Sequence, residues 1–155
     1  MFITRTGSYG KGPFFLGETT MLYSVLIYDS EAVVGAIPKD KLDTLIARHE
    51  RVQEKLAAEG KLGPVVRLMP TTSATTLHRS GEHMITDGPF AETKEQLLGF
   101  YIVDCATLEE AQDAARLIGS ACDAHKLEVR PIALYYPNEK ASIEARPADR
   151  SAAVR

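Results

Sequence analysis

Leu97-Leu98-Gly99-Phe100-Tyr101-Ile102-Val103-Asp104, followed closely by Thr107-Leu108-Glu109-Glu110, is a strand handing over to a helix. The first part is apolar on successive residues, as a strand covered on both faces must be. The second part is a capping box, in which Thr107 and Glu110 satisfy the orphan N–H groups of a helix start. The helix so opened carries Leu108, Ala111, Ala115 and Ile118 at the spacing of one face. A last strand, Leu127 to Leu134, follows it. Pro131 has no N–H to give to a ladder, so that strand belongs at an edge or carries a bulge.

Upstream the same pattern occurs once more. Leu22-Tyr23-Ser24-Val25-Leu26-Ile27-Tyr28 is a strand apolar on both sides and therefore central. The helix expected from about Pro38 to Glu59 places Leu42, Leu45, Ile46, His49, Val52 and Leu56 on one face. Pro38 suits its first position and Gly60 its C-terminal stop. Leu62 to Leu68 offers a short strand, broken at Gly63-Pro64. Ala74 to Thr86 reads as a hairpin. With Ser80-Gly81 as a two-residue loop, Arg79 faces Glu82, His78 faces His83 and Leu77 faces Met84. Thr86-Asp87-Gly88-Pro89-Phe90 is turn chemistry. The order β-α-β-hairpin-β-α-β is the split βαβ, ferredoxin-like α+β arrangement with an inserted hairpin. Its helices lie on one side of the sheet, and a second copy of the chain is the simplest cover for the other. A homodimer is therefore expected.

The 155 residues are enough for one domain with a sizeable core. Residues 1–20 read as an irregular, Gly-rich extension, residues 21–136 as the domain, and residues 137–155 as a charged polar tail. Met21 is a candidate natural start. The formal charge of −3 comes without any Lys/Arg cluster, which argues against nucleic acid as a partner. No apolar run reaches the ~20 residues of a membrane helix. Glycines and Pro13 interrupt any signal-peptide core near the N-terminus. A cytoplasmic protein is expected. Cys105 and Cys122 lack metal-ligand spacing and read as free, partly buried thiols. The absence of GxSxG, P-loop, GxGxxG and HExxH patterns argues against α/β-hydrolase, NTPase, Rossmann and zincin chemistry.

The run from Thr86 through Asp87-Gly88-Pro89-Phe90-Ala91-Glu92-Thr93-Lys94-Glu95-Gln96 to Tyr101, with His49-Glu50 before it and Val129-Arg130-Pro131 after it, resembles the DGPF subgroup of the YCII-related family. The resemblance covers about residues 21–136. It implies a dimeric α+β barrel of two facing ferredoxin-like sheets, with a pocket in each subunit. It also implies kinship with enzymes of small cyclic substrates, such as muconolactone isomerase. In the wider family a His-Asp pair is the proposed active site. His49 matches that histidine. The aspartate that normally follows the Gly-Pro after the first helix is missing, because Gly63-Pro64 runs into Val65-Val66. In the DGPF subgroup Asp87 is the natural substitute. Members of that subgroup often accompany extracytoplasmic-function sigma factors, which implies a regulatory alternative.

Each candidate has a plainer reading beside the functional one. The unperturbed histidine pKa of ~6.5 suits His49 to acid–base work near neutrality, but a core histidine with one hydrogen bond would occupy the same helical position. Asp87 can orient an imidazole or cap its own turn, and the two roles are compatible. Pro89, Phe90, Lys94 and Tyr101 are candidates for substrate binding, set against wall, turn, solvated-charge and packing roles. His78 and His83 have no third ligand, so no metal and no cofactor are expected. The leading expectation is a small-molecule-binding protein with His49/Asp87 acid–base capacity, of isomerase, lyase or hydrolase type. The alternative is a non-catalytic regulatory or interaction module working with a sigma factor.

Overall fold

The computed structural model describes residues 21–81, 83–123 and 126–135. The N-terminal extension, the polar tail and the partner expected opposite Arg79, Glu82, lie outside the described residues. In chain order the elements are β1 (Met21–Asp29), α1 (Glu31–Gly35), α2 (Lys39–Ala58), β2 (Leu62–Arg67), β3 (Thr75–Leu77), β4 (Ile85–Asp87), β5 (Gln96–Cys105), α3 (Leu108–Ala121) and β6 (Lys126–Pro131). β2, β5, β1 and β6 form one sheet in that spatial order, with every neighbouring pair antiparallel. β1 and β2 are thus parallel to each other, with β5 inserted between them. This is the split βαβ, ferredoxin-like topology. β1 is central, and β6, ending on Pro131, is an edge.

One face of the sheet carries the core. Tyr23, Val25 and Ile27 of β1 alternate with residues of the opposite face, as do Tyr101, Val103 and Cys105 of β5. They pack against Val52 and Leu56 of α2 and against Ala111, Ala114, Ala115, Ile118 and Ala121 of α3. The small side chains of α3 let it settle close to the strands. Leu56, Ile118, Val25 and Val103 are fully buried, and each such side chain stabilises the fold by roughly 1.5–3 kcal/mol. Leu108, expected on the buried face of α3, is instead half-exposed in its first turn.

Gly60 stops α2 as expected, Pro38 stands at the N-cap rather than at the first helical position, and the capping box of α3 closes only from the Thr107 side. Gly60 has φ +68, and the N–H groups of Gly60 and Lys61 donate to the carbonyls of Ala57 and Leu56 at 3.0 and 2.8 Å. This is a Schellman stop, which needs the left-handed residue that glycine supplies most readily. At α3, the Glu110 N–H donates to Thr107 Oγ1 at 3.2 Å. The Glu110 carboxylate accepts from the Ala106 N–H at 3.0 Å, one residue before the cap itself.

The hairpin is a correction. β3 and β4 form a separate two-stranded sheet in which Leu77 faces Ile85, Thr76 faces Thr86 and Thr75 faces Asp87. The register is one residue away from that of a two-residue loop. The His78 N–H still donates to the Met84 carbonyl at 2.8 Å, but the strands end at Leu77 and Ile85. Gly81 (φ +82) and His83 (φ +53) take left-handed conformations, which let a wider loop close. The short helix α1 was not expected from sequence. It is fastened from outside: the Glu31 carboxylate accepts from the Thr71 N–H and Oγ1 at 2.8 and 2.7 Å, and the Glu31 N–H donates to Gln96 Oε1 at 3.0 Å.

Candidate functional site

His49 sits midway along α2, three residues before Val52 and seven before Leu56, so all three share a face. Only the second half of that face reaches the core: Val52 and Leu56 are buried, whereas Leu42 and Leu45 are half-buried and Ile46 is exposed. His49 stands at the boundary and is partly buried.

Below it lies Tyr101, in the middle of β5 and on the helix-covered face. Tyr101 Oη and His49 Nδ1 are 2.7 Å apart, and the rings are stacked with centroids 6.0 Å apart at 25°. Tyr101 is only 2% exposed. Its burial raises the phenol pKa, the Gln53 amide one helical turn after His49 acts the other way, and Cys122 adds a smaller upward push. The pKa of His49 is lowered, first by burial and then by the positive charge of Arg67. Near neutrality a neutral phenol therefore meets a neutral imidazole. The phenol is the stronger acid and the imidazole nitrogen the better acceptor, so Tyr101 Oη donates to Nδ1. The ring proton then resides on Nε2, which makes that nitrogen a hydrogen-bond donor.

Arg67 reaches this place through strand register. Val65 pairs with Tyr101 and Arg67 with Gly99, so Val65 and Arg67 share the Tyr101 face of the sheet. Gly99 is required for that approach. A Cβ there would stand 2.2 Å from the Val66 carbonyl oxygen and 3.1 Å from Arg67 Cα. The opposing strand repeats the device, since a Cβ on Gly63 would stand 2.6 Å from the Ile102 carbonyl oxygen.

The other residues singled out from sequence lie elsewhere. Asp87 ends β4 on the small sheet and is exposed; the hydrogen bond of His49 runs to Tyr101. Pro89 and Lys94 are exposed in the segment between β4 and β5, and Phe90 is 88% exposed. Of the six, the structure joins His49 and Tyr101 directly. His78 Nε2 is 3.0 Å from Thr86 Oγ1 on the hairpin. Cys105 is buried and its pKa is pushed up to about 11, chiefly by that burial, so its thiol stays protonated and unreactive. A surface cleft between α2 and α3, lined by Lys55, Glu59, Lys61, Glu110 and Asp113, lies beyond His49 toward the end of α2.

Two neighbours of His49 escaped the sequence reading. Gln53 was legible in principle, because i,i+4 residues adjoin on a helix. Arg67 was not, because its place depends on a β2–β5 register that bulges between Leu62 and Val65.

The YCII-related domain family model matches residues 21–133. An uncharacterised protein of Rhizobium meliloti (strain 1021) is 53% identical over 121 residues, covering 77% of this chain and 98% of that protein.

Proposed function

Given that this chain belongs to the YCII-related domain family, we propose that it binds a small molecule at His49 and performs cofactor-independent acid–base chemistry on it, of isomerase, lyase or hydrolase type. The observation that carries this reading is the 2.7 Å hydrogen bond between His49 and the buried Tyr101. A core histidine needs only to be satisfied. Here one ring nitrogen of a partly buried histidine is held by a rigid donor, which leaves Nε2 as the nitrogen to act on a ligand. A neutral imidazole with its proton on Nε2 can polarise a carbonyl or hand a proton to a leaving oxygen. In this reading Tyr101 sets the tautomer, a role the sequence had offered to Asp87. Screening small cyclic ketones, lactones and enol acids against the wild type and His49→Gln tests it. A turnover or binding response lost in the variant, with the fold intact, supports the proposal. Equal responses in both remove His49 from it.

A second copy of the chain belongs to the same proposal. Leu26, Phe100 and Val66 alternate to the face of the sheet opposite the core, and the two long helices pack on the core side. Introducing Phe100→Arg should convert a dimer to a monomer in light scattering. A wild type that is already monomeric would overturn this part.

One observation favours a second reading, a regulatory or interaction module with a sigma factor as the family-inspired partner. Leu77, Met84, Ile85 and Phe90 are all more than half exposed on or beside the hairpin. Unpartnered apolar side chains concentrated in one element suit a protein-binding surface. Co-purification of a sigma factor, lost on Phe90→Ser, would favour it.

A further inference from the structure

We propose that the outer edge of β6 is a docking strand for β6 of a second copy of the chain, the two pairing antiparallel about a two-fold axis at Val129. This contact lies at the sheet edge, apart from the sheet face that carries Phe100. It does not depend on the chemistry proposed for His49.

β6 is the last strand of the main sheet, with β1 on one side and no strand on the other among the described residues. The Ile132 N–H donates to the Leu22 carbonyl at 2.8 Å, which makes Leu22 and Ile132 a hydrogen-bonded pair. Such pairs alternate along an antiparallel ladder, so Arg130 and Glu128 also turn their backbone groups to β1. Leu127, Val129 and Pro131 turn theirs outward. The N–H that Pro131 lacks would have pointed to the open side, so the β1–β6 ladder loses nothing by it. The N–H groups of Leu127 and Val129 and the outward carbonyls form a row of donors and acceptors ready for another strand. On the helix side of this row runs an open groove of about 350 Å3, where Ala115 and Gly119 of α3 face Leu127 and Val129 of β6. It leaves room beside the edge for the side chains of an added strand.

The charges choose the occupant and the register. Glu128 and Arg130 lie on the face opposite Leu127 and Val129, and Arg130 Nε donates to the Glu128 carboxylate at 2.7 Å. With the axis at Val129, each Glu128 stands directly opposite the partner's Arg130, and the charges alternate in sign across the junction. The two Val129 residues exchange their hydrogen bonds, and each Leu127 N–H meets the partner's Pro131 carbonyl. An axis at Glu128 would instead set Glu128 against Glu128 and Lys126 against Arg130. An axis at Arg130 would set Arg130 against itself. Like charges directly opposite destabilise a pair of strands. An axis at Leu127 would leave the strands overlapping only over residues 126–128. Charge and proline commonly blunt a sheet edge. Here the charges admit one register, and that register needs only the carbonyl of Pro131. A second copy supplies the matching pattern by symmetry, because the contact is isologous.

A contact one strand long is small, so the association belongs to concentrated protein. The test is sedimentation of the full-length Phe100→Arg protein over a concentration series, with amide hydrogen exchange followed by NMR. Phe100→Arg removes any contribution of the sheet face, so the edge is read alone, and circular dichroism checks the fold of each variant. We expect reversible dimerisation in which exchange at the Val129 amide slows as concentration rises, while the Arg130 amide, already bonded to β1, stays unchanged. Adding Arg130→Glu should weaken association about 10-fold, because each Glu128 then meets a like charge. Adding Glu128→Arg as well should restore it, since the signs alternate again. A swapped pair that associates as weakly as the single reversal would overturn the register. A Val129 amide already protected in dilute protein would show the edge covered within one chain, and sedimentation as a monomer at every concentration would leave it without a second copy. Either result would overturn the docking itself.

Discussion

The two ends of the Thr86–Tyr101 run behave oppositely. At its start, Asp87, Pro89 and Phe90 are exposed, on and just beyond a two-stranded sheet apart from the main one. At its end, Gly99 and Tyr101 are buried in the sheet, and Tyr101 holds the histidine of α2. Turn residues draw attention because glycine and proline have few substitutes in a tight turn. Here the chemistry gathers at the other end, where a strand residue meets a helix.

The contrast should show most strongly in the glycines. A Cβ at Gly99 meets backbone on the neighbouring strand, which cannot swing aside as a side chain can. Gly99→Ala should therefore cost about 3 kcal/mol, at the upper end of overpacking penalties, in urea unfolding. Gly88 lies in open space, and its only demand is a φ of +93. Gly88→Ala should cost about 1–2 kcal/mol, the usual range for a residue held at unfavourable φ. Equal losses at the two positions would mean that the β2–β5 contact is looser than described, and Arg67 would lose its fixed place.

A smaller effect is expected at the side chains. Tyr101→Phe keeps the buried ring but removes the hydroxyl, leaving His49 Nδ1 without its donor. The cost should be about 1 kcal/mol, the ordinary net value of such a bond. Phe90→Ala, at an exposed position, should fall within about 0.5 kcal/mol of wild type. A large loss at Phe90 in dilute protein would reveal a partner surface that the single chain does not show.

Most of the fold was legible because it depends on local signals. Two doubly apolar strands, a capping box at Thr107 and a glycine stop at Gly60 each act within a few residues, and together they leave few topologies. The hairpin register was not legible, because loop width depends on which residues accept positive φ, and His83 was an unexpected one. The candidate site was half legible. Helical periodicity put His49 on the inner face, and strand alternation made Tyr101 one of several packing residues. That the two meet depends on how α2 crosses β5, and the location of Arg67 depends on a bulge. Neither is encoded locally.

The pH dependence of stability tests whether His49 is as buried as its bond to Tyr101 requires. Its folded-state pKa is below the ordinary 6.5. Between that folded value and about 6.5 the unfolded chain holds more protons, so acidification favours unfolding. The contribution is fully present above about pH 6.5 and is lost as the pH falls toward the folded value. His49→Gln should flatten this part of the profile, while the loss from carboxylates at lower pH remains. In Arg67→Gln the His49 pKa should rise but stay below the ordinary value, because burial is the larger cause.

The smallest expected effect is the most discriminating. An NMR titration of His49 in Asp87→Asn should superimpose on that of the wild type. Asp87 is exposed on a different sheet, and an exposed carboxylate acts only weakly through water and salt. The same substitution should change stability by less than about 0.5 kcal/mol, since an Asn serves a turn almost as well as an Asp. A His49 pKa that falls in Asp87→Asn would show the carboxylate supporting the charged ring at close range. That outcome would return Asp87 to the site and demand that the hairpin approach α2 in the working protein, whether from the same chain or from a second copy. An unchanged titration leaves orientation of the imidazole to Tyr101 and makes Asp87 a turn residue.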